Sequence, residues 1–175
     1  CSAGMRIESL SIVPMLAMGN AMSTFTAQNM GAGKIDRVKE GYRMCYVIVL
    51  TAGAVLCIMY QLAGGAFVSL FLDSGSSEAY SVGLSYVKFL SFFYSFIGLK
   101  ASTDGLLRGA GDVTAFTVAN LVNLAIRVSV TNLFAPIYGI QVAWMAVPLG
   151  WAANYVISFG WYLTGKWKKV RVIKK

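Results

Sequence analysis

Two long stretches without a charged side chain constrain this chain more than any other feature of its sequence. Residues 9–33 and 44–72 contain no Asp, Glu, Lys or Arg. Each is long enough to cross the hydrocarbon core of a bilayer, which takes about 20 residues as a helix. Between them, residues 34–43 hold four basic and two acidic side chains. This arrangement is typical of a transmembrane helical hairpin with a short basic connection.

The composition agrees with a membrane protein and argues against a nucleic-acid-binding domain. Of the 175 residues, 57% are hydrophobic and 13% charged, about half the charged fraction of an average soluble domain. The net charge of +8 is concentrated next to the uncharged runs, since six of the fifteen basic residues lie in the last ten positions. That placement follows the positive-inside rule. We therefore expect an all-α polytopic membrane protein that binds lipids and no nucleic acid.

The pattern of uncharged runs and turn residues predicts one membrane domain over residues 1–165 and a basic cytoplasmic tail over residues 166–175. The domain is predicted as a bundle of five transmembrane helices, at about residues 7–30, 44–70, 79–107, 113–133 and 140–163.

Basic and non-basic loops alternate along the predicted bundle. The loops after the first and third helices and the tail carry Lys or Arg, whereas the other two loops carry none. This alternation predicts a plasma (bacterial cytoplasmic) membrane protein with a cytoplasmic C-terminus, and an external loop at residues 72–78. The first helix must then begin outside, and the opening residues are not a signal peptide. We therefore expect the chain to be the C-terminal part of a longer protein.

The residue types available exclude most catalytic chemistry. Histidine is absent, and the three cysteines, Cys1, Cys45 and Cys57, are too widely spaced for a zinc site or a disulfide framework. No nucleophile–base pair or phosphate-binding loop is evident. We expect no enzyme activity, no metal site and no cofactor.

Polar side chains inside the predicted spans are the candidate functional residues. A charged residue in a span usually faces the protein interior or water, because lipid exposure is costly. The sequence leaves two roles open for these residues, a polar clamp between helices and direct contact with a transported substrate. The candidates are Asn20, Thr24 and Gln28 in the first helix, Lys100 and Asp104 in the third, and Asn120, Asn123 and Arg127 in the fourth.

Four segments carry a resemblance to a known family. They are RIESL at residues 6–10 with Pro14, QNMGAGK at residues 28–34, LRGAGD at residues 107–112, and the run from Asn123 through YGI at residues 138–140 to Trp144. Their order and spacing resemble the second half of the multidrug and toxic compound extrusion (MATE) transporters.

The resemblance implies a twelve-helix transporter made of two six-helix halves, with these five helices similar to helices eight to twelve. Such a transporter exports small organic compounds, often cationic, against an inward flow of Na⁺ or H⁺ by alternating access. The partner would be the N-terminal half of the same transporter, and the first, third and fourth helices would border the central cavity. The family's second-half acidic position has no equivalent in residues 91–99, so the coupling site is expected mainly outside this chain.

Two alternatives remain at this point. A flippase for a lipid-linked oligosaccharide, from the same superfamily, would suit the basic residues Lys100 and Arg127. A non-transporting membrane subunit of five helices is the other, although the external start of the first helix argues against it.

Overall fold

The described part of the chain is almost entirely helical. The computed structural model describes residues 2–70, 77–139 and 141–169. These residues contain no β-strand, and the all-α class is confirmed. They form six α-helices and one short 3₁₀ helix: α1 Ser2–Gly31, α2 Ile35–Ser69, α3 Ser77–Ser91, α4 Tyr94–Gly109, α5 Val113–Tyr138, α6 Gln141–Thr164 and the 3₁₀ helix Lys166–Lys169.

The apolar helices are long enough to cross a membrane. By length and composition, Ile7–Gly31 of α1, Ile35–Ser69 of α2 and Val113–Tyr138 of α5 each qualify as a span. The pair α3–α4 qualifies as one broken span, bent by 51°. The fifth predicted span, α6, is not among these, although its 24 residues would reach about 36 Å at 1.5 Å per residue.

The bend between α3 and α4 divides the span that the sequence predicted as one helix over residues 79–107. Helical bonding is interrupted after Ser91, which frees the carbonyl of Lys88 for other donors. Gln61 of α2 donates from Nε2 to this carbonyl at 3.0 Å and to Ser91 Oγ at 3.1 Å. A break within a span is tolerated when the freed backbone groups find partners. Here the partners of Lys88 O are Ser91 Oγ of the same helix, at 2.7 Å, and Gln61 of the neighbouring helix.

The two Gly-Ala-Gly segments end α1 and α4 in the same way. Gly33 and Gly111 both have positive φ, at 70° and 83°, which glycine adopts without steric cost. The amide of Lys34 donates to Asn29 O at 2.8 Å, and that of Asp112 donates to Leu107 O at 2.9 Å. Both bonds are the six-residue hydrogen bond of a Schellman cap. The two Gly-Ala-Gly segments therefore adopt the same capping structure.

Helix α4 lies at the centre of the bundle, in contact with α1, α2, α5 and α6. Residues 101–107 are all buried. Its approach to α1 is close because glycines face the opposite backbone. A Cβ on Gly105 would overlap the carbonyl of Gly19, and one on Gly109 would overlap the carbonyl of Ser23. Small residues that bring backbones together are the usual means of helix packing in membranes.

Several helix boundaries differ from the predicted ones. Helix α2 begins at Ile35 rather than near residue 44, because the charged residues predicted as a loop form its first turns. Helix α5 continues through Pro136, which was predicted in a turn, and ends at Gly139 with φ of 81°. Charge marks where a span leaves the membrane, and a helix can continue beyond that point. The predicted external loop lies largely outside the described residues, as do residues 170–175 of the tail.

Candidate functional site

Asp104 lies at the junction of α4, α5 and α6 and is 5% exposed. Its Oδ2 accepts hydrogen bonds from Lys100 Nζ at 2.9 Å and from Asn120 Nδ2 at 3.3 Å. Its Oδ1 accepts from Ser158 Oγ of α6 at 2.7 Å. A buried charge is tolerated when it has an opposite charge and hydrogen bonds to offset its lost hydration. Asp104 has both, and it ties three helices together.

Lys100 is also well satisfied, with its side chain 14% exposed. Besides Asp104, its ammonium donates to Asn120 Oδ1 at 3.1 Å. The amide nitrogen of Asn120 donates in turn to the carbonyl of Phe116, one turn earlier on α5, at 2.8 Å. The structure thus brings three predicted candidates into one neutral group. With Asn154 and Ser158 of α6, we call it the Asp104 cluster.

The contribution of α6 to this cluster was missed from the sequence. Asn154 and Ser158 are both fully buried, and their side-chain oxygens lie 3.4 Å apart. The Nδ2 atom of Asn154 has no hydrogen-bond partner among the described residues. The spacing of these two residues, i and i+4 on a mostly apolar helix, is the signal that could have found them.

The three candidates on α1 occupy an exposed face instead of the buried cluster. Asn20, Thr24 and Gln28 are all exposed. Asn20 Oδ1 accepts a hydrogen bond from Arg108 Nη2 of α4 at 2.7 Å, and the Arg108 guanidinium lies 5.7 Å from the ring of Phe116 on α5. Arg108 therefore joins the polar face of α1 to α4 and lies beside Phe116 of α5.

Asn123 and Arg127 of α5 lie against α6 at Gly150. A Cβ on Gly150 would overlap Asn123 Oδ1 and would lie 2.8 Å from Arg127 Cγ. Asn123 Oδ1 is buried without a hydrogen-bond partner among the described residues, whereas the Arg127 residue is exposed. The three polar candidates of α5 therefore have different neighbours. Asn120 contacts α4, and Asn123 and Arg127 lie against α6.

A group of hydroxyls around Thr103, the residue before Asp104 on α4, was not predicted. Thr103 Oγ1 lies 2.7 Å from the hydroxyl of Tyr42 and 2.9 Å from that of Tyr46, both on α2. Tyr46 also donates to the hydroxyl of Tyr155 on α6 at 3.2 Å. These bonds join α2, α4 and α6. The pair of tyrosines at i and i+4 on α2 is the visible signal in the sequence.

The described residues contain no group of three or more His, Cys, Asp or Glu side chains that could hold a metal ion. Both carboxylate oxygens of Asp104 already accept hydrogen bonds, from the Lys100 ammonium and from the neutral donors Asn120 and Ser158. The arrangement therefore holds helices together and presents polar surface, and it provides no activated nucleophile of the kind that covalent catalysis requires.

Comparison with known proteins assigns the family. Residues 1–147 match the protein-family model MatE, which is most of the chain. The chain belongs to the MATE family. The family assignment from the four sequence motifs is thus confirmed.

Relatives of this MATE chain include two proteins with multidrug names. It is 28% identical over 168 residues to "Probable multidrug resistance protein YpnP" of Bacillus subtilis (strain 168), covering 95% of this chain and 37% of the relative. It is 21% identical over 181 residues to "Probable multidrug resistance protein NorM" of Thermotoga maritima, covering 98% of this chain and 37% of the relative. The MATE chain therefore spans little more than a third of the length of these proteins.

A solved structure shares the fold. It is described as an inward-facing conformation of a multidrug resistance MATE family transporter of the MOP superfamily. The TM-score is 0.79 with 19% sequence identity, over 99% of this chain and 38% of the other. At this identity the likeness establishes the fold. Together with the apolar helices, it describes an integral membrane protein of the MATE family.

Proposed function

We propose that this MATE chain supplies second-half helices of a multidrug efflux antiporter that is coupled to Na⁺ or H⁺ and works by alternating access. Its partner is the N-terminal half of the same transporter, and its substrates are small organic compounds, some of them cationic. The transporter resides in the plasma membrane with its C-terminus in the cytoplasm. Family membership supports the transporter class.

A contrast between two exposed faces of the bundle carries the proposal. The outer face of α2 is apolar and includes Val47, Val55 and Leu62, each more than half exposed. The exposed face of α1 begins apolar, with Leu10 and Val13 exposed by 63% and 60%, and in its second half presents Asn20, Thr24 and Gln28 instead. Polar residues within spans usually face the bundle interior or water. The α1 face therefore borders a pathway, which the other half of the transporter closes.

The Asp104 cluster is assigned to holding the helices that carry this face. The carboxylate already has an ammonium and two neutral donors, so an incoming Na⁺ or H⁺ would have to displace Lys100. We therefore expect the main coupling site in the remainder of the transporter. The candidates placed on the pathway are the three α1 residues, and Arg108 joins them.

Neither alternative gains an observation in its favour. The flippase hypothesis rested on Lys100 and Arg127 as free positive charges, and Lys100 is neutralised by Asp104 at 2.9 Å. Arg127 and Arg108 are the exposed arginines of α4 and α5, and Arg108 is already hydrogen-bonded to Asn20 at 2.7 Å. A non-transporting subunit offers no reason for a polar exposed face on α1.

Dye efflux from reconstituted vesicles tests the proposal. The full-length protein should export a cationic dye when a Na⁺ or H⁺ gradient is imposed, and export should stop when an ionophore collapses that gradient. Residues 1–175 alone should give no efflux, because one half cannot enclose a pathway. Gradient-driven efflux by residues 1–175 alone, or none by the full-length protein with several dyes, would contradict the proposal.

A further inference from the structure

Basic residues from two distant parts of the chain meet at one end of the bundle. Lys39 and Arg43 lie near the start of α2, one helical turn apart and beside Tyr42, whose ring is 4.6 Å from that of Tyr162 near the end of α6. Lys168 follows Trp167 in the 3₁₀ helix, and the Trp167 ring is 5.6 Å from the same Tyr162 ring. The segment that the sequence predicted as a basic cytoplasmic tail therefore begins with a turn that is packed against the bundle.

A ladder of three aromatic rings holds this turn in place. The rings of Tyr42 and Tyr162 are 4.6 Å apart, and the rings of Tyr162 and Trp167 are 5.6 Å apart with an interplanar angle of 13°. Trp167 is fully buried, and its Nε1 donates to Tyr162 O at 3.0 Å. Because Trp167 is fixed, the lysines beside it have a defined position relative to α2.

The lysines of the 3₁₀ helix are presented outward over aromatic rings. Lys166 Nζ lies 5.1 Å from the ring centre of Trp161, and Lys168 Nζ lies 5.6 Å from that of Trp167. Both residues are exposed. A cation over a ring face is held by the ring quadrupole and still has N–H groups available for an anionic ligand.

The acidic residues near this surface do not cancel its charge. Asp36 is engaged by Lys39 at 2.8 Å, and Glu40 is exposed on the same face of α2. A third carboxylate, Asp112, accepts a hydrogen bond from Trp161 Nε1 at 2.7 Å, on the ring that Lys166 covers. Against these three acidic residues stand five basic ones, Lys39 and Arg43 on α2 and Lys166, Lys168 and Lys169 on the 3₁₀ helix. The surface is therefore positive, and it adjoins the ends of apolar helices α2 and α6, where a bilayer places its head groups.

We propose that this surface, formed by Lys39, Arg43, Lys166 and Lys168 around the Tyr42–Tyr162–Trp167 ladder, binds the head group of an anionic phospholipid. The charge is complementary to a lipid phosphate, and each basic residue near an anionic membrane contributes about 1 kcal/mol. The partly exposed aromatic residues at the end of α6, Trp161 and Tyr162, are of the type that is enriched at head-group depth. The lipid bridges α2 and the 3₁₀ helix, so binding depends on the position of Trp167 as well as on charge.

Retention of lipid by the purified full-length protein, measured by native mass spectrometry, tests this proposal. The protein is solubilised from vesicles that contain equal amounts of phosphatidylglycerol and phosphatidylcholine. We expect preferential retention of phosphatidylglycerol. The variant Lys166→Gln/Lys168→Gln should retain several-fold less. Trp167→Ala should show a similar loss although it removes no charge.

The matched control is Lys34→Gln/Arg37→Gln, which removes two charges from the same end of the bundle. Arg37 lies about 120° or more around α2 from Lys39 and Arg43, so retention should stay near that of the wild type. The proposed site would be overturned if the control variant lost as much phosphatidylglycerol as Lys166→Gln/Lys168→Gln, or if Trp167→Ala retained as much as the wild type. Either result would mean that the lipid is attracted by the overall positive charge and not by this site. The measurement needs no transport, so its outcome is independent of the proposed function. Thermal stability in phosphatidylcholine alone checks that every variant is folded.

Discussion

At the scale of single residues, the pair Lys100–Asp104 is the clearest case of a charge whose burial depends on its partner. The Asp104 side chain is 6% exposed and that of Lys100 is 14% exposed. Removing one partner of a buried pair is strongly destabilising, whereas replacing both with apolar residues is often neutral. The pair should therefore show strong thermodynamic coupling.

We expect Lys100→Met to destabilise the full-length protein by about 3–5 kcal/mol, since it leaves the carboxylate without a counter-charge. The double variant Lys100→Met/Asp104→Leu should recover most of this loss. Unfolding in detergent, followed by circular dichroism, measures both. The single variant Asp104→Leu is measured as well. If the double variant loses as much free energy of unfolding as the two single variants added together, the pair is not coupled as the structure indicates.

Arg127 presents the opposite situation, an exposed charge on a span. Its stem lies against Gly150, and the residue is exposed. An arginine at the bilayer centre costs at least about 2.5–3.5 kcal/mol when it faces lipid. An exposed guanidinium on α5 is therefore better placed in a watery part of the protein.

Arg127→Leu should reduce dye efflux by the full-length transporter several-fold while membrane insertion is unchanged or improved, since leucine suits a bilayer. Val128→Leu, at the next exposed position on α5, is the matched control and should transport normally. Efflux rates and the amount of protein extracted from membranes are both measured. Normal transport by Arg127→Leu would leave the charge without a mechanistic role.

At the scale of helices, the bend between α3 and α4 depends on one side chain of a neighbouring helix. Gln61 Nε2 supplies hydrogen bonds to Lys88 O and to Ser91 Oγ. Without it, the carbonyl of Lys88 keeps only the Ser91 hydroxyl as a side-chain donor, at 2.7 Å, and the two hydrogen bonds that join α2 to the bend are lost.

We expect Gln61→Leu to lower the free energy of unfolding by about 1–3 kcal/mol, because two hydrogen bonds worth about 0.5–1.5 kcal/mol each are lost. Thr51→Val on the same helix is the control, because the Thr51 hydroxyl is exposed and donates only to Val47 O of its own helix. Thermal unfolding of both variants in one detergent gives the comparison. Equal midpoints would show that the bend does not need Gln61.

The packing of α1 on α4 makes a second prediction at this scale. Gly105→Ala places a methyl group against the carbonyl of Gly19, and overpacking of this kind costs about 1–3 kcal/mol. Gly160→Ala is the matched control, since no described atom lies within 4 Å of the added Cβ. It should be neutral or stabilising by about 0.5–1 kcal/mol, because glycine is unfavourable inside a helix. A less stable Gly160→Ala than Gly105→Ala would contradict the packing.

At the scale of the whole molecule, the distribution of basic loops makes a prediction about orientation. The Lys34 region and the C-terminus should lie in the cytoplasm, and the region of Ser76, which is outside the described residues, should lie outside the cell. Single cysteines at Lys34 and Ser76, in a full-length protein free of other cysteines, can be treated with an impermeant thiol reagent on intact cells. Only Ser76→Cys should react. Reaction at Lys34→Cys alone would reverse the orientation.

How the helices associate explains why part of the candidate site could be predicted and part could not. Asn120 is recognisable as a polar residue in a span, and it stands at i, i+3 and i+7 with Asn123 and Arg127, within about 60° around the helix axis. In the structure Asn120 meets Lys100 and Asp104, whereas the other two lie at Gly150. Residues within about 60° of each other on one helix can still meet different neighbours, because two helices contact that arc.

The sequence by itself determined the class of protein, the family and the helical content. These follow from local properties: uncharged runs, basic connections, and the two Gly-Ala-Gly segments that end helices with a positive φ at Gly33 and Gly111. Each depends on residues that are close together along the chain, so no knowledge of packing is needed to interpret them.

The tertiary structure alone decided which polar groups share a site. Asn154 and Ser158 meet Asp104 only because α6 packs on α4, and Gln61 supports the bend only because α2 lies beside it. Trp167 likewise packs back onto Tyr162 of α6. The hydrogen bonds of Gln61 to Lys88 and of Ser158 to Asp104 join residues 27 and 54 positions apart. Their partners are set by the shape of neighbouring helices, and the periodicity of a single helix contains no information about that shape.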